Sequence, residues 1–126
     1  MDGAGEETGA QEELAPLTIL IRLYEGAIDF LERSLVACEG GQVDDFQALL
    51  GRGQRIIEEF QRTLDFSQDG DVSIRLNELY EFMLESLTQA GLTHDGQYIR
   101  SVVNTLHTLL DGWRSASAEV EGLSVD

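Results

Sequence analysis

The chain has no lysine: its eight basic residues are all arginine, set against 24 acidic residues, for a formal net charge of −16. So acidic a chain repels phosphate backbones, which argues against nucleic-acid binding, and anionic membrane surfaces are disfavoured for the same reason. A single cysteine, Cys38, excludes an internal disulfide and any cysteine-based zinc site. Proline occurs once, at Pro16, so little interrupts a helical chain. No apolar run approaches a membrane span, and residues 1–13 lack the basic and apolar regions of a signal peptide. The expected location is the cytoplasm, without membrane insertion.

What is present is one domain's worth of chain. At 126 residues, with 42% hydrophobic and 25% charged residues, a single core forms without a staple. Residues 1–13 are rich in Gly and Glu and read as a flexible acidic tail; residues 14–116 read as the folded unit, and 117–126 as a frayed C-terminal tail. Pro16 fits the first turn of a helix. From there apolar residues recur at helical spacing through Leu20, Leu23, Tyr24, Ala27, Ile28, Leu31, Leu35 and Cys38, and Gly40-Gly41 ends the run.

A second stripe follows Asp44 and Asp45: Phe46, Leu49, Leu50, Ile56, Ile57, Phe60 and Leu64. Gly51 and Gly53 interrupt it, each weakening a helix by about 1 kcal/mol against alanine while permitting close approach. After the turn cluster at 67–71, a third stripe carries Val72, Leu76, Leu79, Tyr80, Met83, Leu87 and Ala90, with Gly91 as its stop. A fourth carries Ile99, Val102, Val103, Leu106, Leu109, Leu110 and Trp113. Four such helices with short connections predict an all-α, antiparallel up-down four-helix bundle with flexible termini.

Two predicted helices carry more apolar surface than a bundle core requires. Ile19 to Leu31 cover an arc of roughly 200°, where a core face needs about 100°. On the third helix Phe82 and Leu84 flank the core stripe on opposite sides. Surplus apolar surface of this kind fits a partner or weak self-association.

Motifs for chemistry fail on inspection. His94 and His107 follow Gly91 and Asn104 at the three-residue spacing where a di-metal bundle has Glu, so neither a metal nor another cofactor is expected. The stretch Leu106-His107-Thr108-Leu109-Leu110-Asp111-Gly112 resembles the His-x-Leu-Lys-Gly motif of histidine phosphotransfer bundles, but Asp111 replaces the lysine and puts negative charge beside any phosphate. On the helical wheel His107 lies outside the core direction and is expected to face solvent. No catalytic residue is assigned, and the chain reads as a non-enzyme.

Pro16-Leu-Thr-Ile-Leu-Ile-Arg-Leu23-Tyr24-Glu25-Gly26-Ala27-Ile28-Asp-Phe30-Leu31, followed by Leu76-Asn-Glu-Leu79-Tyr80-Glu81-Phe82-Met83-Leu84, resembles two signatures of the flagellar export chaperone FliS family. The resemblance spans about residues 16–115, with Leu64-Asp65-Phe66 and the run ending at Trp113 as supporting features. Arg22 stands where that family usually has an apolar residue. The resemblance implies a cytoplasmic chaperone that binds the disordered C-terminal segment of flagellin in apolar grooves. It would block premature polymerisation and keep the subunit fit for export, with the flagellar export apparatus a further candidate partner. It implies partner-binding roles for Ile21, Leu23, Tyr24, Ile28, Leu76, Leu79, Tyr80, Phe82, Met83 and Leu84. Of these, Ile21, Tyr24, Phe82 and Leu84 sit at stripe edges and are expected to line a groove, whereas Leu79 and Met83 point near the core. The alternatives from the residues are a phosphotransfer bundle using His107 and a self-associating bundle.

Overall fold

A computed structural model of the chain describes the backbone of residues 2–67 and 70–125, with side chains described for 16–67 and 70–120. Four helices follow one another: α1 (Asp2–Glu39), α2 (Val43–Arg62), α3 (Gly70–Thr93) and α4 (Gln97–Val125). Each packs on its chain neighbours, and α1 also packs on α4, while among the described residues no backbone contact crosses either diagonal. The short connections reverse direction each time, so the arrangement is the antiparallel four-helix bundle expected from the spacing.

Several boundaries differ from the sequence reading. Pro16 lies inside α1, not in its first turn, because α1 already begins at Asp2. Proline has no N–H to donate to the carbonyl four residues earlier, so one hydrogen bond is absent there. The segment expected as a flexible tail is thus part of α1, and its side chains lie outside the described residues. At the other end α4 continues past residue 116 to Val125; half-buried Ala116 and Ser117 show that packing extends beyond Trp113.

The first turn has the expected glycine stop. Gly41 takes the left-handed conformation (φ 73°), the Gln42 N–H donates to the Ala37 carbonyl (2.9 Å), and the Gly41 N–H to that of Cys38 (3.2 Å). Those bonds satisfy carbonyls that a helix end leaves open. The third helix does not stop at Gly91. It runs to Thr93, and the left-handed position falls on His94 (φ 59°), whose N–H donates to the Ala90 carbonyl (2.8 Å). The His94 ring stands edge-on to Phe46 (5.3 Å), and its carbonyl accepts from the Cys38 thiol (3.3 Å), which ties this turn to the α1–α2 end of the bundle. The Asp95 carboxylate then accepts from the Gln97 N–H at the start of α4 (3.0 Å).

The core follows the predicted stripes closely. Leu31, Phe46, Ile57, Phe60, Leu87, Ile99, Leu106 and Leu110 are all buried. Val72 is the exception: it is exposed, and its neighbour Ser73 turns inward, donating to the Asp65 carbonyl at 2.9 Å. The interior of α3 thus begins with a polar anchor to the α2–α3 turn.

The glycines of α2 divide. A Cβ on Gly53 would stand 2.5 Å from Leu31 Cδ2 and 2.8 Å from its Cγ, so Gly53 lets α1 and α2 come together. A Cβ on Gly51 would meet nothing within 4 Å. Gly96 repeats the first case against Leu35 Cδ1, at 2.6 Å.

Candidate functional site

One level of the bundle is built from aromatic rings, one from each helix. Tyr24 of α1 stacks on Phe60 of α2, with centroids 4.4 Å apart and planes 19° apart. Phe60 meets Tyr80 of α3 at 5.4 Å, and Trp113 of α4 stands edge-on to Tyr24 at 6.2 Å. The Tyr24 and Tyr80 hydroxyls share a buried hydrogen bond of 2.5 Å. That bond joins α1 to α3 across a diagonal the backbones do not bridge.

Burial raises the pKa of both phenols. For Tyr80 a charge on Tyr24 and their shared hydrogen bond add to the rise, whereas for Tyr24 the hydrogen bond to Tyr80 and the nearby Trp113 N–H partly offset it. Both rings are therefore neutral at physiological pH. The Trp113 N–H is buried without a partner in full hydrogen-bond geometry, although it lies close enough to act on Tyr24.

This placement corrects the reading of Tyr24 as a stripe-edge residue. Tyr24 is fully buried, as Ile28, Tyr80 and Met83 essentially are. The cause is the hydroxyl pair. A tyrosine whose O–H finds a buried partner can be fully enclosed, and that partner lies 56 positions away in sequence. Ile21, Leu23, Leu76, Leu79 and Leu84 are half-buried and pack against the core, while Phe82 is 60% exposed.

The surplus arc of α1 is largely consumed by packing. Leu20, Ile21 and Leu23 lie on the core, and two guanidiniums stand over the Phe30 ring, Arg52 at 5.6 Å and Arg33 at 6.0 Å. Ile19 and Val36 remain open to solvent.

Helix α3 keeps its two flanks, on opposite sides as the wheel requires. Leu84 faces the seam with α2. A string of depressions runs along that seam, past Leu92, Gly91, Leu87 and Leu50, then Gly51, Gln54 and Leu84, and on to Arg55, Glu58, Asn77 and Glu81. From Asn77 to Leu92 this is roughly 22 Å at 1.5 Å per residue, room for several helical turns. Gly51 adds no side chain to its wall. Gln61 spans the polar end, donating to Asn77 at 3.1 Å.

On the other flank Phe82 lines a separate depression with Glu85, Ser86, Gln89 and Tyr98 of α4. The sequence reading does not single out as site residues Gly51, Gly91, Leu92 and Tyr98, or Thr88, which lines both the seam and this depression. The signal was present for Gly51, a glycine within a helical stripe. For Tyr98 and Leu92 a single helix shows only an apolar residue beside the core stripe, and the neighbouring helix supplies the rest of the wall.

His107 is exposed. Among the described residues no cluster of His, Cys, Asp or Glu is arranged to hold a metal, and no helix is long and apolar enough to cross a membrane. The chemistry offered is that of surfaces: the long seam and the shorter aromatic depression bordered by α3, and between α1 and α2 a further depression lined by Glu32, Arg33, Val36, Asp45, Leu49 and Arg52.

Comparison with known proteins gives a consistent result. A family model described as Flagellar protein FliS matches residues 4–120. The flagellar secretion chaperone FliS of Salmonella typhimurium is 30% identical over 104 residues, covering 82% of this chain and 77% of that protein. The chaperone of the same name from Campylobacter jejuni is 30% identical over 100 residues, covering 79% and 78%. That of Vibrio cholerae is 27% identical over 110 residues, covering 87% and 81%. A crystal structure of a flagellar chaperone from bacteria superposes with a TM-score of 0.77 at 25% identity, over 82% of this chain and 85% of that one. The phosphotransfer and self-associating alternatives gain no support from these relatives.

Proposed function

The chain belongs to the FliS family and is a flagellar export chaperone, and from that premise we propose that its client is the disordered C-terminal segment of flagellin, bound in the cytoplasm. The segment becomes helical as it docks along the apolar surface beside α3, which withholds it from premature polymerisation and keeps it fit for export. The work is recognition coupled to folding, not catalysis.

The observation that carries this reading is the pair of open flanks on α3. Leu84 borders a seam long enough for a helix, and Phe82 stands largely exposed on the other side. Phe82 and Leu84 touch the client, with the half-buried Ile21, Leu23, Leu76 and Leu79 at the margins. Tyr24, Ile28, Tyr80 and Met83 act from inside, by fixing the distance between helices.

Titration calorimetry with the C-terminal segment of flagellin from the same genome tests the reading. The expected result is binding with a strongly negative heat-capacity change, as apolar surface is buried and the segment folds. Phe82→Ala and Leu84→Ala each weaken it by more than about 1 kcal/mol. Absence of binding by the unaltered protein would remove flagellin as the client while leaving the family and fold intact.

A further inference from the structure

We propose that the depression between α3 and α4 is a subsite for a cationic side chain, an arginine or lysine carried on the helical client segment. The inference rests on the client-binding reading above and names the chemistry of one contact.

Phe82 is the most exposed aromatic ring described, and it faces Tyr98 of α4 across the depression. Three carboxylates stand within one helical turn of it on α3, Glu78 and Glu81 before and Glu85 after; Glu78 and Glu85 share its side of the helix, and Glu85 lines the depression itself. Among the described residues neither Glu78 nor Glu85 is in an ion pair, although five of the eight arginines pair with other carboxylates. The remaining three, Arg22, Arg52 and Arg55, lie on α1 and α2. Among the described residues no arginine forms an ion pair with Glu78 or Glu85, and none lines the depression.

Phe30 shows what the same protein does with another surface aromatic ring. There Arg33 and Arg52 place guanidiniums over the ring. Around Phe82 the sign is reversed: the ring face is open and the neighbours are anionic. A purely apolar client side chain would cover the ring but press against the carboxylates and cost them hydration. A cation avoids that conflict, since its stem packs on Phe82 and Tyr98 while its charge meets the ring face and Glu85. With a net charge of −16, the long-range field favours the same sign of partner.

The test uses two probes on the full chain and its E78Q/E85Q variant, whose exposed substitutions leave the core untouched. One probe is the flagellin C-terminal segment, with an analogue in which arginine is replaced by citrulline and lysine by glutamine. The other is a designed amphipathic helix carrying arginines, with its citrulline counterpart. On the unaltered protein each cationic probe binds about three- to tenfold tighter than its neutral analogue at low salt. The preference shrinks as salt rises and falls at least threefold in E78Q/E85Q, leaving only the part owed to the ring and the long-range field. Equal binding of a bound cationic probe and its analogue overturns the subsite, as does a preference undiminished in E78Q/E85Q. Failure of the flagellin segment alone, with the designed helix behaving as expected, removes the flagellin reading and keeps the subsite. Binding of neither cationic probe overturns the subsite.

Discussion

Tyr80 and Phe82 stand two residues apart on α3 and meet opposite surroundings. Tyr80 is 2% exposed, hydrogen-bonded to Tyr24 and set against Phe60; Phe82 is 60% exposed beside two carboxylates. A step of two residues turns a helix by about 200°, so adjacent letters of one motif can serve the interior and the surface. Helix α2 repeats the contrast with glycines: Gly53 presses against Leu31, while Gly51 borders the open seam. Both cases teach that near neighbours on one helix divide into those that set the shape of the bundle and those that present it.

The sharpest break of that contrast is truncation at each position. Tyr80→Ala empties a filled aromatic site and removes the partner of the Tyr24 hydroxyl, costing about 3–5 kcal/mol of stability by denaturant unfolding. Phe82→Ala shifts stability by less than about 0.5 kcal/mol and shows its effect only in client affinity. Equal stability losses at the two positions would erase the distinction.

The glycine pair comes next. Gly53→Ala forces the buried Leu31 side chain to move and destabilises by about 1–3 kcal/mol, despite alanine's better helix propensity. Gly51→Ala meets open space and stabilises by up to about 1 kcal/mol, read as a higher unfolding midpoint. A destabilised Gly51→Ala would show that the seam wall is tighter than its geometry indicates.

High pH probes the hydroxyl pair. Both phenols have a folded-state pKa above the ordinary 10.0. A raised folded pKa gives stability that is complete below the unfolded value and is lost as pH climbs above it. The unfolding free energy is therefore unaffected by these groups up to about pH 9. Beyond pH 10 it falls, approaching about 1.4 kcal/mol per pH unit for each proton the folded state retains. Tyr24→Phe and Tyr80→Phe each flatten that decline, and an unchanged decline in both would assign it to other groups.

The smallest effect is at the α3–α4 turn. His94→Gly relieves a left-handed backbone position but gives up the ring contact with Phe46, so thermal unfolding moves by no more than a few degrees.

Much of this molecule was legible from local pattern. Helical spacing placed Leu31, Ile57, Leu87 and Leu106 in the interior, and the glycine pair at 40 and 41 marked the first turn. The opposite flanking of Phe82 and Leu84 also followed from the wheel. Other features escaped for identifiable reasons. Pro16 suggested a helix start, but proline costs one hydrogen bond and does not end a helix by itself. Gly91 suggested a helix end, yet glycine is tolerated inside α3, where a Cβ would lie 3.4 Å from Leu50 Cδ2, and His94 takes the left-handed role.

The sequence by itself determined the fold class and the family: four apolar stripes of period 3.6 can be buried together only by packing helix on helix, and the two tyrosine-bearing motifs identify the lineage. Only the tertiary structure decided which apolar residues are surface. A stripe edge is buried or open according to what the next helix brings to it. Tyr24 is enclosed because Tyr80 answers its hydroxyl from across the bundle, and Phe30 is covered because Arg33 and Arg52 reach it. Phe82 stays open because α4 offers Tyr98 at the far wall of a depression that, among the described residues, no arginine lines.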